Sequence, residues 1–228
     1  MKTLRIFIPA LFAAIVALSL VIMPSSAEAA AEAARPNPVP VVQPAVAPLN
    51  ADEIADLTYM REEEKLARDV YITLYDVWGV QVFQNISRSE QSHMDAILTL
   101  LDRYGIVDPT VGNAVGEFTN PDLQALYDQL VATGSQSLAD ALKVGGAIEE
   151  IDIIDLEKAV DETDKADIQQ VYASLLNGSY NHLRAFVSTL ANQTGEVYEP
   201  QYMTADAYST IVNSAVSNGS SRGGRRGR

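Results

Sequence analysis

Apolar side chains recur at steps of three and four along four long stretches of this 228-residue chain, and each of those series is interrupted by polar groups. Leu57, Met60, Glu64, Ala67, Tyr71, Leu74 and Trp78 form the first series, and Ile86, Glu90, His93, Ile97, Leu100 and Tyr104 the second. Gly145, Glu149, Asp152, Leu156 and Ala159 form the third, and Ile168, Val171, Leu175, Ser179, His182, Phe186 and Thr189 the fourth. That spacing puts each series on one face of a helix. No segment alternates with the period of a strand, so the chain is expected to be all-α.

The breaks between the series predict the helix ends. Gly79 stops a first helix expected over Ala51–Trp78, and Gly105 ends a second over Gln81–Tyr104. A short turn between two long helices makes an antiparallel hairpin. Ile106 to Pro121 holds two prolines and two glycines and reads as a long connection. Asn120-Pro121-Asp122 opens a short helix reaching Thr133. Ser137 is suited to cap a third long helix to about Val160, and Thr163 or Asp164 a fourth to about Asn192, with Gly195 beyond. Thr204 opens a last short helix to about Val216. Two hairpins of long helices, joined by a connection of roughly 30 residues, follow the order of a ferritin-like four-helix bundle. The expected fold is that bundle, with a long crossover between its second and third helices and short extra helices.

The ends of the chain have a different composition. Lys2 and Arg5 precede an apolar run from Ile6 to Met23, and Ala27-Glu28-Ala29 supplies the small residues a signal peptidase reads. Residues 1–29 are therefore expected to be a cleaved signal peptide, and the mature protein to be exported: periplasmic, secreted or held at the cell surface. Residues 30–49, with Pro36, Pro38, Pro40, Pro44 and Pro48, read as an extended Pro/Ala-rich linker. Residues 217–228, rich in Ser, Gly and Arg, read as a disordered tail. The folded domain is then expected over residues 50–216. From Asn50 to Ser217 there are 28 acidic and 9 basic side chains, a net charge of −19. Such a surface disfavours nucleic acid and anionic lipid and favours cations. Cysteine is absent, which excludes both disulfides and thiolate metal sites.

The candidate chemistry lies in the groups that interrupt the stripes. A buried carboxylate costs several kcal/mol unless it is paired or bound to a metal. Glu64 sits in the middle of the first stripe, and Glu90 and His93 share the second at a spacing that puts both on one helix face. A Glu-x-x-His pair aimed into a bundle, opposite a Glu from the neighbouring helix, is half of a carboxylate-bridged di-metal arrangement. His182 on the fourth stripe and Glu149 and Asp152 on the third are the candidates for the other half. The chain has only two histidines, and both fall on core-facing positions. The candidate metal ligands are thus Glu64, Glu90, His93, Glu149, Asp152 and His182. Glu62, Glu63 and Lys65 read as surface charges, Arg68 and Arg184 as surface salt-bridge partners, and Tyr71, Tyr104 and Tyr172 as core aromatics.

These residues also carry a family resemblance. Glu64-Lys65-Leu66-Ala67-Arg68-Asp69-Val70-Tyr71 resembles the first-helix Glu-x-x-Ala-Arg-x-x-Tyr of rubrerythrins, and Glu90-Gln91-Ser92-His93 their second-helix Glu-x-x-His. Three segments resemble more closely the domain of unknown function 2202 family, within the ferritin-like superfamily: Tyr59 to Tyr71, Ser89 to Met94, and Gly178 to Phe186. The resemblance covers about Leu57 to Tyr208 and implies the bundle fold and a metal-site scaffold. It carries no activity. It also exposes a departure, because rubrerythrins have a second Glu-x-x-His on the fourth helix where this chain has Ser179-Tyr180-Asn181-His182.

Oxygen and imidazole ligands without thiolate suit iron or manganese, in a single-metal or di-metal site, and zinc is compatible. The functional expectation is a metal-dependent oxidoreductase acting on oxygen, peroxide or ferrous iron; either Asp152 supplies the acid missing at Ser179, or the second metal is weak or absent. The alternative is a non-catalytic metal- or partner-binding module tethered at the cell surface. Expected partners are metal ions, an external electron donor and a second copy in a homodimer. Nucleic acid is not expected, nor a membrane span once the signal is cleaved.

Overall fold

The computed structural model describes residues 47–219; the expected signal peptide, most of the Pro-rich linker and the end of the Arg-rich tail lie outside them. Among the described residues there are six helices and no strand: α1 (Ala51–Trp78), α2 (Gln81–Tyr104), α3 (Pro121–Gly134), α4 (Leu138–Glu162), α5 (Ala166–Thr194) and α6 (Ala205–Gly219). The all-α expectation holds. None of the described helices is long and apolar enough to cross a membrane.

The ends follow local chemistry. Asn50 accepts hydrogen bonds from the amides of Asp52 and Glu53, and Glu53 accepts in return from the Asn50 amide, a reciprocal capping box. The helix then ends at Gly79, whose φ of 65° is left-handed and suited to glycine. Asn120 and Ser137 cap α3 and α4. The start of α5 differs from expectation. Lys165 is its N-cap residue, whereas Thr163 is the extended C-cap of α4, and the Thr163 hydroxyl accepts from the Lys165 amide. Helix α6 also continues past Val216 to Gly219, into the segment read as tail.

Side-chain pairings give the directions of the long helices. On α1 and α2, Arg61 reaches the Met94 carbonyl, Glu64 meets His93 and Arg68 meets Gln91, so numbering rises on one helix as it falls on the other. The same reversal relates α4 to α5 through Glu149–His182 and Asp152–Ser179. It relates α1 to α4 through Glu53–Thr163 and Tyr71–Glu149, and α2 to α5 through Ser89–His182 and Tyr104–Asp167. Each of α1, α2, α4 and α5 therefore runs antiparallel to two packed neighbours. Helix α3 lies against α1 and α4, and α6 against α5.

The interior is divided in two. One apolar cluster holds Tyr71, Leu74, Phe83, Leu142, Phe186 and Leu190. The other holds Leu57, Ile97, Leu100, Leu156, Tyr172 and Leu175. Along α1, α2 and α5 the polar interruptions of the stripe fall between the stretches that feed these two clusters, and on α4 Glu149 and Asp152 precede Leu156 and Ala159 of the second.

Three expected surface charges are buried. Glu62, Glu63 and Lys65 are all at or below 5 % exposure. For Glu62 and Lys65 the reason is the connection after α2, which folds over the outer face of α1. Arg61 forms a two-pronged pair with Asp108, at 3.1 and 3.0 Å. Lys65 donates to Asp69 and to the Ala114 carbonyl, and its ammonium lies 4.4 Å from the centre of the Phe118 ring. Asp69 also accepts from the Gly116 amide, and Glu62 from the amides of Thr119 and Asn120 at the start of α3. Arg68 pairs with buried Asp69, and Arg184 fastens α6 through the Ile211 carbonyl. Glu150 is likewise structural. It accepts from the Tyr198 hydroxyl and from the amides of Gln201, Tyr202 and Met203, pinning the α5–α6 connection to α4.

Candidate metal centre

Five of the six candidate ligands meet in the polar layer between the two apolar clusters. Glu64 comes from α1, Glu90 and His93 from α2, Glu149 from α4 and His182 from α5. The three glutamates are no more than 2 % exposed, and the histidines 9 % and 8 %. The two atoms of the Glu90 carboxylate are divided between the imidazoles. Its Oε2 is 2.8 Å from His93 Nδ1, and its Oε1 is 2.8 Å from His182 Nδ1. Glu64 completes one side at 3.1 Å from His93 Nδ1, and Glu149 the other at 3.4 Å from His182 Nδ1. The result is two triads sharing Glu90, one of Glu64, Glu90 and His93 and one of Glu90, Glu149 and His182, with the ligand atoms of each within 4.8 Å of one another. The imidazole rings stack, 5.4 Å between centres and 27° apart.

Asp152, the sixth candidate, lies outside both triads. It is buried beside them and accepts a hydrogen bond from Ser179. Ser179, which stands where a second Glu-x-x-His would have its acid, thus presents a carboxylate borrowed from α4.

Groups around the triads fix their geometry. The Tyr71 hydroxyl donates to Glu149 Oε1 at 2.6 Å. His182 Nε2 lies 2.9 Å from the Ser89 hydroxyl. A proton placed on that nitrogen leaves Nδ1 free to ligate, the usual role of an outer partner to a metal-binding histidine. Gly178 supplies space: a Cβ there would stand 2.6 Å from His93 Nε2, so any larger residue displaces the ring. Tyr104 bonds Asp167, whereas the buried Tyr172 hydroxyl has no partner.

The electrostatics show strong competition for protons. Burial lowers the proton affinity of His93, but Glu64 and Glu90 outweigh it and lift its pKa to about 11. Burial acts likewise on His182, and Glu149 and Glu90 bring it to about 10. Glu90 is pushed up by burial yet held down to about 2 by the two imidazoles. Burial and the charge of Asp152 push Glu64 well above the ordinary carboxylate range. Burial, then the charge of Glu149, raise Asp152 to about 7. Glu90 is thus the anionic hub, and its neighbours hold protons where a cation would relieve them.

The sequence reading missed three contributors. Ser89 and Gly178 act through a histidine that is distant in sequence, and no local pattern marks them. Glu63 was hidden in an acidic run, although it is buried, its Oε2 lacks a donor, and it faces Asp152.

Comparison with known proteins fits this chain over its folded part. The 50 % identical Uncharacterized protein MJ0754 of Methanocaldococcus jannaschii aligns over 175 residues, 77 % of this chain and 94 % of the relative. A crystal structure of hypothetical protein MJ0754 from Methanococcus jannaschii superposes with a TM-score of 0.72 and 49 % identity, covering 75 % of this chain and 97 % of that one. A family model described as Uncharacterized protein domain (DUF2202) matches residues 53–215. With a match over most of its length and a relative at this identity, the chain belongs to the DUF2202 family.

Proposed function

We propose that this is an exported ferritin-like protein that binds one or two divalent ions, iron or manganese, inside a four-helix bundle. The bundle reading is supported by the antiparallel neighbours among α1, α2, α4 and α5 and by the long segment between α2 and α4. Export rests on the leader-like residues 1–29.

One observation carries the metal reading. Four buried acids, Glu64, Glu90, Glu149 and Asp152, lie around two imidazoles. No hydrogen-bond donor satisfies Glu64 Oε1, Glu90 Oε1 or Asp152 Oδ1. As carboxylates the four carry more charge than two imidazoliums balance, and buried acceptors left over are what a cation takes up. Glu90 Oε1 and His182 Nδ1 approach to 2.8 Å without hydrogen-bond geometry, as ligand atoms aimed at a third body do.

In this reading Glu64 and His93 would hold one ion, Glu149 and His182 the other, and Glu90, common to both triads, would serve both. Oxygen and nitrogen donors fit iron, manganese or zinc, and a bound iron or manganese pair supplies one-electron chemistry toward oxygen, peroxide or ferrous ion. The chain's own groups orient and insulate the site. Tyr71 holds Glu149, Ser89 orients the His182 ring through Nε2, and Ser179 steadies Asp152. The two apolar clusters keep bulk water away above and below.

The test is the paired change His93→Ala and His182→Ala. Metal content and any peroxide or ferrous-iron turnover should be lost together, with the helical circular dichroism retained. A wild-type protein that binds metal but turns over none of these substrates, with partner binding that survives the double change, would favour the tethered binding module instead.

A further inference from the structure

The metal reading leaves unused Asp155, Glu63 and Asp152, acids on the α1–α4 seam that lead to Glu64. At the solvent end is a cleft of about 380 Å³ lined by Asp56, Tyr59, Asp155 and Glu162, and the lysine at its rim, Lys158, is paired with Glu162 at 3.5 Å. Glu63 comes next inward. It is 5 % exposed, the charge of Asp155 bears on it, and its Oε2 has no donor. Glu63 and Asp152 are then the two acids lining a small, otherwise apolar cavity of about 10 Å³ against Leu66, Leu123 and Ile148, room for a single water. Asp152 Oδ1 and Glu64 Oε1 follow, both buried and both without a donor. Asp155, Glu63, Asp152 and Glu64 therefore alternate between α4 and α1 from solvent to the centre.

A structural role does not account for this line. The outer face of α1 shows how the protein buries acids for stability, with a cation or backbone amides on each, and Glu63 and Asp152 have no cation beside them. Like-charged carboxylates packed together oppose folding, so their arrangement points to a ligand of opposite charge. The opposite seam, between α2 and α5, offers imidazoles and the Gly178 backbone near the centre, and its outer acid, Asp167, is paired with Arg103 and Tyr104.

We infer that the α1–α4 seam is the inlet by which a divalent cation, shedding its hydration shell, reaches the centre, with Asp155 and Glu63 as its staging carboxylates. The inference rests on the metal reading and adds the path. A cleft lined by one sign of charge concentrates counter-ions and speeds their capture, and here it leads to acceptors that replace water one at a time.

Stopped-flow mixing of the metal-free, full-length protein with cobalt(II), followed by its absorption, tests the path. Glu63→Gln and Asp155→Asn should each load about tenfold more slowly than wild type, with the same number of ions per chain at equilibrium. Added salt should narrow the difference. Each variant is checked by thermal melting, and Glu63→Gln is expected to melt no lower than wild type because it removes a buried like charge. Wild-type loading rates in both variants would overturn the inlet while leaving the metal centre standing. A drop in ions bound per chain would make Glu63 a ligand and overturn its staging role. A wild-type protein that takes up neither cobalt(II) nor iron(II) would overturn the metal reading itself.

Discussion

Helix α1 buries charge on two opposite faces, and the faces are built differently. On the outer face, Arg61, Glu62, Lys65 and Asp69 lie under the connection after α2, and each acid accepts from a cation or from backbone amides. On the inner face, Glu64 joins Glu90, His93, Glu149 and His182, acids outnumber bases, and carboxylate oxygens remain without donors. The two faces are equally buried. Depth of burial therefore does not identify a ligand site; unsatisfied acceptors do.

That contrast is most sharply broken at Glu90 and at Lys65. Glu90→Ala removes the carboxylate shared by both triads, so metal content measured by elemental analysis should fall to near zero per chain while the outer face is untouched. Lys65→Ala should do the reverse. It leaves Asp69 short of its ammonium partner in a dry setting, and denaturant unfolding should show a loss of about 3 kcal/mol with metal content unchanged. If Lys65→Ala also emptied the site, the two faces would not be independent.

A smaller effect is expected at Ser89, which touches only His182. Ser89→Ala should weaken the binding of one ion by about tenfold in a cobalt(II) titration, and Ser89→Thr, which keeps the hydroxyl, should restore it. The smallest effect concerns pH. Asp152, raised to about 7, favours the folded state fully below its ordinary range near pH 4 and loses that contribution as pH rises to about 7. His93 and His182, raised to about 11 and about 10, lose theirs as pH rises from about 6.5 through those values. Metal-free protein should therefore melt at progressively lower temperature between about pH 4 and about pH 8, and Asp152→Asn should flatten the acidic part of that slope. A bound cation takes the place of the displaced protons, so loaded protein should lack the decline.

Much of this was legible in the sequence because helix geometry is local. Gly79 and Gly105, Asn120-Pro121 and Ser137 sit where the helices end or begin, and the three-four spacing set which of Glu64, Glu90, His93, Glu149 and His182 share a face. Glu149, on the third stripe, turns to the polar layer, and its neighbour Glu150, off the stripe, turns to the α5–α6 connection. What escaped depended on contacts distant along the chain. Lys65 and Glu62 read as solvated because nothing in a run of charges reveals that residues 106–120 fold over it. Thr163 was a fair N-cap by type, but it is drawn to Glu53 and ends α4 instead. Asp152 reads as a ligand from its place on the stripe, but it lies beside both triads and bonds Ser179 of α5.

Elemental analysis of the protein, purified after growth in iron- and manganese-replete medium, bears most directly on the excess of buried acid at the centre of the fold. One or two ions per chain are expected, absent from Glu90→Ala and from the paired His93→Ala, His182→Ala protein. A wild-type chain that emerges without metal, and whose melting temperature does not move when iron(II), manganese(II) or zinc(II) is added, would contradict it.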